Sequence, residues 1–473
     1  MGSDIRFGTD GWRAIIADTF TFKNVGTVAR AIAEHVKKDR SPSSTKGPPS
    51  LIVGYDNRFL GREFADHVAR EFMSSDVRCI VSDRPVPTPT TAYAIKEFNS
   101  DGAVMLTASH NPYYYGGIKF IPHYAGPATE EITKKIEQHI SNVKGGPESG
   151  SKNRTIDAQD ITRGYKEHIR SMIDTGMIGG SGLRIACDPL YGAGADIMEE
   201  LLKDTGSDYL MIHKNKDVLF GGGLPDPSQE RLKELQENVV RDKRDVGLGL
   251  DGDADRIGII ADDGGYLGAN QVIALLLLHL IKNRGLKGAV VRTVATTHLL
   301  DAVCRKYGLE LIETPVGFKH VGHMMLEREV IIGGEESGGM SIGGHIPEKD
   351  GILADLLVCE MIAVEKKPLS KLMDAVYGEF GDYLNMRLDI ECPDENKRGL
   401  FEELNTKPPT MFAGREVKSV SYKDGVKMVL DDGSWILIRP SGTEPLVRIY
   451  LEASTDKGLY DLKKGAKELL HVP

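Results

Sequence analysis

The sequence predicts a multidomain α/β protein that ends in an α+β domain. Short β-branched runs alternate with helix-length amphipathic stretches: Leu51 to Val53, Val77 to Val81, Arg184 to Ala186, Ile257 to Ile260 and Val330 to Ile332. This is the pattern of βαβ crossovers, largely parallel sheets and ligand loops at strand C-termini. After residue 375 the strands come closely spaced, at Met386 to Glu391, Glu416 to Ser421, Val426 to Leu430 and Trp435 to Arg439, with helices around Glu395 to Leu404 and Asp456 to Leu470. The 473 residues suggest about three domains at roughly 150 residues each.

Lys144 to Arg154 has no large apolar residue and reads as the first boundary, while Lys37 to Ser50 reads as a surface loop. Later breaks are expected near Asp251 and near Lys366 to Lys371. The apolar run Val272 to Ile281, interrupted by His279, falls far short of the ~20 residues that span a bilayer and reads as a buried helix. Met1 to Arg13 lacks the apolar stretch of a signal peptide, so no membrane association and a cytoplasmic location are expected. The net charge of −10, with no Lys/Arg-rich run, argues against nucleic acid. Five separated cysteines without a C-x-x-C pair argue against a disulfide framework or a zinc knuckle.

Several segments carry candidate chemistry. Thr107 to Pro112 (TASHNP) follows the strand-like Ala103 to Leu106 and presents Ser109, His110 and Asn111; an Asn-Pro turn explains it about equally well. On extended backbone Ser109 and His110 would point apart, which disfavours a direct Ser-His pair. Asp251, Asp253 and Asp255 alternate with Gly252 and Ala254. Three acids on one face need a cation, and hard oxygen ligands favour Mg²⁺, with the small residues leaving room for it. Arg439 to Pro445 (RPSGTEP), with Arg448, has the make-up of a phosphate cradle. Gly333 to Gly339 (GGEESGG) offers carboxylates and a hydroxyl to vicinal sugar hydroxyls, although a glycine-rich turn is the simpler reading. His320 and His323 sit three apart without a third ligand, so zinc is disfavoured.

Two patterns mislead. Gly247-x-Gly249-x-x-Gly252 matches a dinucleotide fingerprint but is followed by a strand, not a helix. Gly339-x-Ser341-x-Gly343 matches a nucleophile elbow but lacks the strand directly before and the helix directly after.

From Phe7-Gly8-Thr9-Asp10-Gly11-Trp12-Arg13 to Arg448-Ile449-Tyr450, these motifs in this order resemble the α-D-phosphohexomutase superfamily, which includes phosphoglucomutase, phosphomannomutase and phosphoglucosamine mutase. The resemblance implies four domains around a central cleft, not three: similar α/β domains at 1–150, 151–254 and 255–370, with mixed sheets, and an α+β domain of the TATA-binding-protein type at 371–473. It implies a phosphorylated Ser109, with Mg²⁺ held by Asp251, Asp253, Asp255 and an oxygen of that residue. Lys119 is implied as general acid/base, with a depressed pKa, and Arg13, His110 and Arg256 as supporting groups. Arg439, Ser441, Gly442, Thr443 and Arg448 would grip the unreacting phosphate. Glu335, Ser337, Lys319 and, less directly, His320 would recognise the sugar. The substrate would be a phosphosugar, a hexose 1,6-bisphosphate would serve as intermediate and activator, and the protein would be a monomer or homodimer.

Glu335-Glu336-Ser337-Gly338-Gly339 is closest to phosphoglucomutase loops, so interconversion of glucose 1-phosphate and glucose 6-phosphate is expected. Asn111-Pro112-Tyr113-Tyr114 is reminiscent of the glucosamine branch. The alternatives are a phosphomannomutase, a phosphoglucosamine mutase, a non-catalytic phosphosugar-binding protein or a metal-dependent phosphatase. Gly116 stands where the family usually has Asn, which predicts a more mobile loop ahead of Lys119. Reorientation of the intermediate predicts a hinge between about residues 366 and 380.

Overall fold

The computed structural model describes residues 5–8, 10–40, 47–142, 155–441 and 445–470. The first domain contains β1 (Trp12–Ile15), α1 (Phe22–Lys38), β2 (Ser50–Tyr55), α2 (Gly61–Ser74), β3 (Arg78–Ser82), α3 (Thr88–Glu97), β4 (Gly102–Leu106), β5 (Tyr115–Pro122), α4 (Glu130–Asn142) and β6 (Asp157–Gln159). Its sheet runs β1-β5-β4-β2-β3-β6, parallel from β4 to β6 and antiparallel through β5 and β1. The sheet continues to Gln159, past the expected end at 150, because β6 pairs with β3.

The second domain contains α5 (Arg163–Met172), α6 (Thr175–Gly180), β7 (Arg184–Asp188), α7 (Ala195–Thr205), β8 (Asp208–Met211), α8 (Lys233–Arg241), β9 (Val246–Leu250), β10 (Ile257–Ala261) and β11 (Tyr266–Leu267). Its sheet order is β11-β10-β9-β7-β8. A division at 254/255 would cut the antiparallel pair β9–β10, whose register runs from Ile257 opposite Leu250 to Ala261 opposite Val246. The dinucleotide reading is excluded by the same pair. Gly247 and Gly249 lack side chains because Leu235, Val239 and Leu232 press against that strand, where an added Cβ would come within 2.7–3.1 Å of them.

The third domain contains α9 (Ala269–Lys282), β12 (Ala289–Thr293), α10 (Leu299–Tyr307), β13 (Leu311–Thr314), α11 (Phe318–Glu327), β14 (Val330–Gly334), β15 (Met340–Ile342), α12 (Gly351–Glu365) and α13 (Leu369–Phe380). Its sheet is β13-β12-β14-β15. The buried apolar run forms α9, and His279 is tolerated there because its Nε2 lies 3.0 Å from Glu360 Oε1. Ser341 is buried and donates to Ile346 O at 2.7 Å, which disposes of the nucleophile elbow. Leu369, Leu372, Met373 and Val376 of α13 sit in the core shared by the second and third domains. The expected division at 370/371 therefore falls inside a packed helix, which also takes up most of the expected hinge at 366–380, and Tyr383 beyond it still packs against the same core.

The fourth domain contains β16 (Leu384–Glu391), α14 (Asp394–Thr406), β17 (Met411–Phe412), β18 (Arg415–Ser421), β19 (Val426–Leu430), β20 (Trp435–Pro440), β21 (Leu446–Ala453) and α15 (Asp456–Leu469). Its sheet is antiparallel throughout, in the order β16-β21-β20-β19-β18-β17. It has its own core, and a small cluster of Val294, Ala295, Trp435, Leu437 and Tyr450 joins it to the third domain. Among the described residues no helix is long and apolar enough to cross a membrane. All five cysteines are buried thiols.

Gly116 lies inside β5, paired with Ala14 of β1, so the expected mobile loop is a fixed strand. A Cβ there would stand 2.4–2.9 Å from the Phe20 ring, which occupies the space an Asn side chain would need. Gly116→Ala should lower stability by about 1–3 kcal/mol, the usual cost of overpacking, and Phe20→Leu in the same chain should restore part of it. Chemical denaturation of the two variants measures both effects.

Candidate active site

The site forms where the loops after β4 and β9 meet. Ser109 is buried and has φ +50°, a left-handed conformation that costs a non-glycine residue about 1–3 kcal/mol. A side chain outside the predicted set holds it there. Arg58, itself buried, donates to Ser109 O (2.6 Å), Asn111 O (2.7 Å), Pro112 O (2.7 Å) and Tyr115 O (3.0 Å). Thr107 Oγ1 accepts the Ser109 N–H at 2.8 Å and donates to Asp56 Oδ2 at 2.6 Å. Asp56 Oδ2 also accepts from Arg58 Nε at 3.2 Å. A guanidinium fork is suited to gathering several carbonyls in one place.

The left-handed turn corrects the expectation that Ser109 and His110 point apart. Ser109 Oγ lies 3.3 Å from His110 Nδ1 and donates to Asp251 Oδ2 at 2.9 Å. The Arg256 guanidinium, followed by burial, holds His110 well below the usual imidazole range, so the ring is neutral. Arg13 on β1 donates to Asn111 Oδ1 at 2.6 Å.

Asp251, Asp253 and Asp255 are fully buried, with one oxygen from each within 4.8 Å of the others. They converge through a tight turn with Ala254 at φ +54°, not along an extended strand as expected. Nor does Gly252 leave room for an ion: an added Cβ would stand 2.8 Å from Ser109 O and 3.2 Å from Pro225. The missing side chain is what lets the serine loop dock. Asp251 Oδ1 accepts the N–H groups of Asp255 (2.9 Å) and Arg256 (3.1 Å). Burial and repulsion from Asp253 and Asp255 push Asp251 well above the usual carboxylate range. Asp253 Oδ1 and Asp255 Oδ1 are buried without a hydrogen-bond partner. Orphaned carboxylate oxygens beside a strained third acid are the donor set of a hard divalent cation.

Lys119 on β5 meets Asp10 Oδ2 at 2.8 Å, Asp253 Oδ2 at 3.0 Å and Asp255 Oδ2 at 3.1 Å. Burial alone would lower its pKa, but these carboxylates outweigh burial and hold it well above the ordinary lysine value. With Asp10 and two of the triad acids around the ammonium, the direction is opposite to the expected depression. Lys349, not predicted, bridges Asp10 (3.2 Å) and Asp255 (3.1 Å). Thr88 Oγ1 donates to Asp253 Oδ2 at 2.5 Å. Asp10 stood in the quoted FGTDGWR motif without a role, whereas Lys349, Arg58 and Thr88 had no sequence signal beyond their charge or hydroxyl.

On the third domain, Glu335 is buried and accepts the Gly317 N–H at 2.9 Å. Burial and neighbouring Glu336 push it up to about 7. Ser337, two residues on, is half-buried. Lys319 and His320 open α11, both half-buried. His323 pairs with Glu327 at 3.1 Å on the exposed face of that helix, and no metal cluster other than the aspartate triad occurs among the described residues. Arg439 is the penultimate residue of β20, with Arg448 directly opposite on β21. Ser441 is buried and its carbonyl accepts from Lys397 at 3.2 Å. Gly442 and Thr443 lie outside the described residues.

Models for the three alpha/beta/alpha domains and the C-terminal domain of phosphoglucomutase/phosphomannomutase match residues 4–145, 163–265, 268–380 and 392–468. A protein of Methanopyrus kandleri named a probable phosphoglucosamine mutase is 30% identical, covering 97% of this chain and 96% of its own. A phosphoglucomutase/phosphomannomutase of Thermococcus kodakarensis is 29% identical, with 98% of each chain covered. The crystal structure of a putative phosphomannomutase from Thermus thermophilus superposes with a TM-score of 0.87 at 30% identity over all of both chains. Fold and relatives together define an intramolecular phosphotransferase, a mutase of the isomerase class. The chain belongs to the phosphoglucomutase/phosphomannomutase family of the α-D-phosphohexomutase superfamily.

If the triad binds a divalent cation, Mg²⁺ should raise the melting temperature, by an amount equivalent to about 2.7 kcal/mol at a hundred times its Kd. Asp251→Asn should be at least as stable as the wild type in chelator, because it relieves buried repulsion, and should lose the Mg²⁺ response. Differential scanning fluorimetry with and without EDTA checks both arms.

Proposed function

We propose that this protein interconverts the 1- and 6-phosphates of glucosamine, with Ser109 as the phosphoryl carrier. The observation that carries the mutase chemistry is the position of Ser109 Oγ, 2.9 Å from Asp251 at the centre of the buried acid cluster. The sugar assignment is supported by relatives named phosphoglucosamine mutases, from Methanopyrus kandleri and Alkaliphilus metalliredigens among others. They favour the glucosamine alternative over the glucose substrate expected from the Glu335-to-Gly339 loop. Glucose is kept as a second reading because Glu336 in that loop resembles phosphoglucomutases and the Thermococcus kodakarensis relative is named a phosphoglucomutase/phosphomannomutase.

Asp251, Asp253 and Asp255 would hold Mg²⁺, which supplies charge neutralisation of the transferring phosphoryl group when bound. A phosphate on Ser109 adds about −1.5 to −2 charge to a pocket where four carboxylates, Asp10, Asp251, Asp253 and Asp255, already face Lys119, Lys349, Arg13 and Arg256. The chain's own cations do not balance both. Arg58 keeps the serine loop in its left-handed turn, so Oγ faces the acids and not solvent. Lys119 would move the proton of the sugar hydroxyl that accepts or releases phosphate, and its carboxylate partners set when it can. Neutral His110 beside Oγ and Arg256 would support the phosphorylated state. Arg439, Ser441, Gly442, Thr443 and Arg448 would hold the other phosphate while Glu335, Ser337, Lys319 and His320 read the ring. A hexose 1,6-bisphosphate that turns over within the cleft would complete the cycle.

The test is to supply Mg²⁺, a trace of sugar bisphosphate and, in parallel, the 6-phosphates of glucosamine, glucose and mannose. Glucosamine 6-phosphate should give the highest kcat/KM, and isomer formation by Ser109→Ala should be lost. Turnover led by glucose would select the second reading; phosphate release without isomerisation would remove the mutase reading.

Ionised Glu335 accepts from sugar hydroxyls at both oxygens, and its raised pKa means that acid converts one of them to a donor at mild pH. For this group kcat/KM should fall about tenfold for each pH unit below about 7. Glu335→Gln should have lower activity and lose that acid limb, as a pH–rate profile would reveal.

A further inference from the structure

The turn between β18 and β19 contains Asp424, which none of the motifs contains. One of its oxygens, Oδ2, accepts two hydrogen bonds from two domains. Arg439 Nε of the fourth domain donates at 2.9 Å, and the backbone N–H of Val316 in the third domain donates at 2.9 Å. Val316 lies in the segment that leads into Lys319 and His320, and the next residue, Gly317, donates its N–H to Glu335 Oε1 at 2.9 Å. A continuous chain of contacts thus runs from Arg439 through Asp424 and the Val316–Gly317 backbone to Glu335. The neighbouring Lys423 Nζ reaches Glu313 O at 2.7 Å, which fastens the same turn to the end of β13. Asp424 and Arg439 are partly shielded, with side-chain exposures of 22% and 17%.

We infer that Asp424 is a positioning residue that couples the grip on the unreacting phosphate to recognition of the sugar ring. It engages the guanidinium through Nε, one of five donors in a rigid fork, which fixes the plane in which Arg439 meets phosphate oxygens. Through Val316 it also fixes the loop that carries Lys319, His320 and the Gly317 amide on Glu335. Neither group is in its working position unless the fourth domain rests on the third. This deepens the proposed function and rests on its assignment of Arg439 to phosphate and of Lys319 and Glu335 to the sugar.

The experiment compares wild type with Asp424→Ala and Asp424→Asn in two readouts. One is the Ki of inorganic phosphate; the other is the ratio of kcat/KM for glucosamine 6-phosphate to that for mannose 6-phosphate. Asp424→Ala should raise the Ki about tenfold or more, as expected for loss of a charged hydrogen bond, and should also shift the sugar ratio at least severalfold. Asp424→Asn, which retains an acceptor oxygen without the charge, should fall between. A variant in which only one readout moves, or neither, overturns the coupling, because a turn residue of purely structural importance would lower activity without changing selectivity.

Thermal stabilisation by the two sugar phosphates separates this inference from the functional reading. An inactive wild type that is selectively stabilised by one sugar phosphate, with selectivity lost in Asp424→Ala, would remove the mutase reading and keep the coupling. An active wild type whose variant keeps both selectivity and phosphate affinity would do the reverse. A wild type neither active nor stabilised would remove both.

Discussion

The site is organised around the mutual repulsion of buried carboxylates. Asp10, Asp251, Asp253 and Asp255 are drawn together from the first and second domains, and Lys119 and Lys349 neutralise part of their charge from the first and third. Burying unpaired charges at this distance would cost several kcal/mol per ion, so the three domains meet only if the cations arrive with the acids. The ion pairs thus serve assembly as well as chemistry. Removing one partner leaves an uncompensated charge in the interior.

The serine loop obeys a related constraint. The Ser109 side chain sits on strained backbone, and the strain is held by a single guanidinium bound to four carbonyls. Gly252 then admits the carbonyl of Ser109 against the acid loop. Backbone shape, not side-chain identity alone, brings the hydroxyl to the aspartates. For this reason the two loops behave as one structural unit although about 140 residues separate them in sequence.

Much of this was legible in the sequence. Alternating strands and helices gave the layered domains, and the acid triplet, the serine segment and the arginine-bearing loop stood out by composition. Geometry that depends on partners was hidden. The spacing of Asp251, Asp253 and Asp255 suggested an extended strand, whereas left-handed Ala254 makes the turn. Gly116 looked like a loosened loop until Phe20 was seen to fill its place. Arg58 and Lys349 resemble any other cations in a list of residues, because their significance comes from carbonyls and carboxylates contributed by distant segments. Domain ends were misplaced where an apparent break, such as the acid loop after β9, is a hairpin within one sheet.

The apolar interior of the second domain continues without interruption into the third, whereas the fourth has its own core and meets the third through a small apolar cluster and the hydrogen bonds of Lys423, Asp424, Lys427 and Glu452. The second and third domains therefore form one packed body, with the fourth joined to it across a narrower seam. If the proposed sugar phosphate lies between these bodies, a bulkier substituent would be accommodated at the seam with the fourth domain sooner than between the second and third, which share one interior. Under that reading, tolerance of larger sugars and firmness of hold on the distal anion would oppose each other.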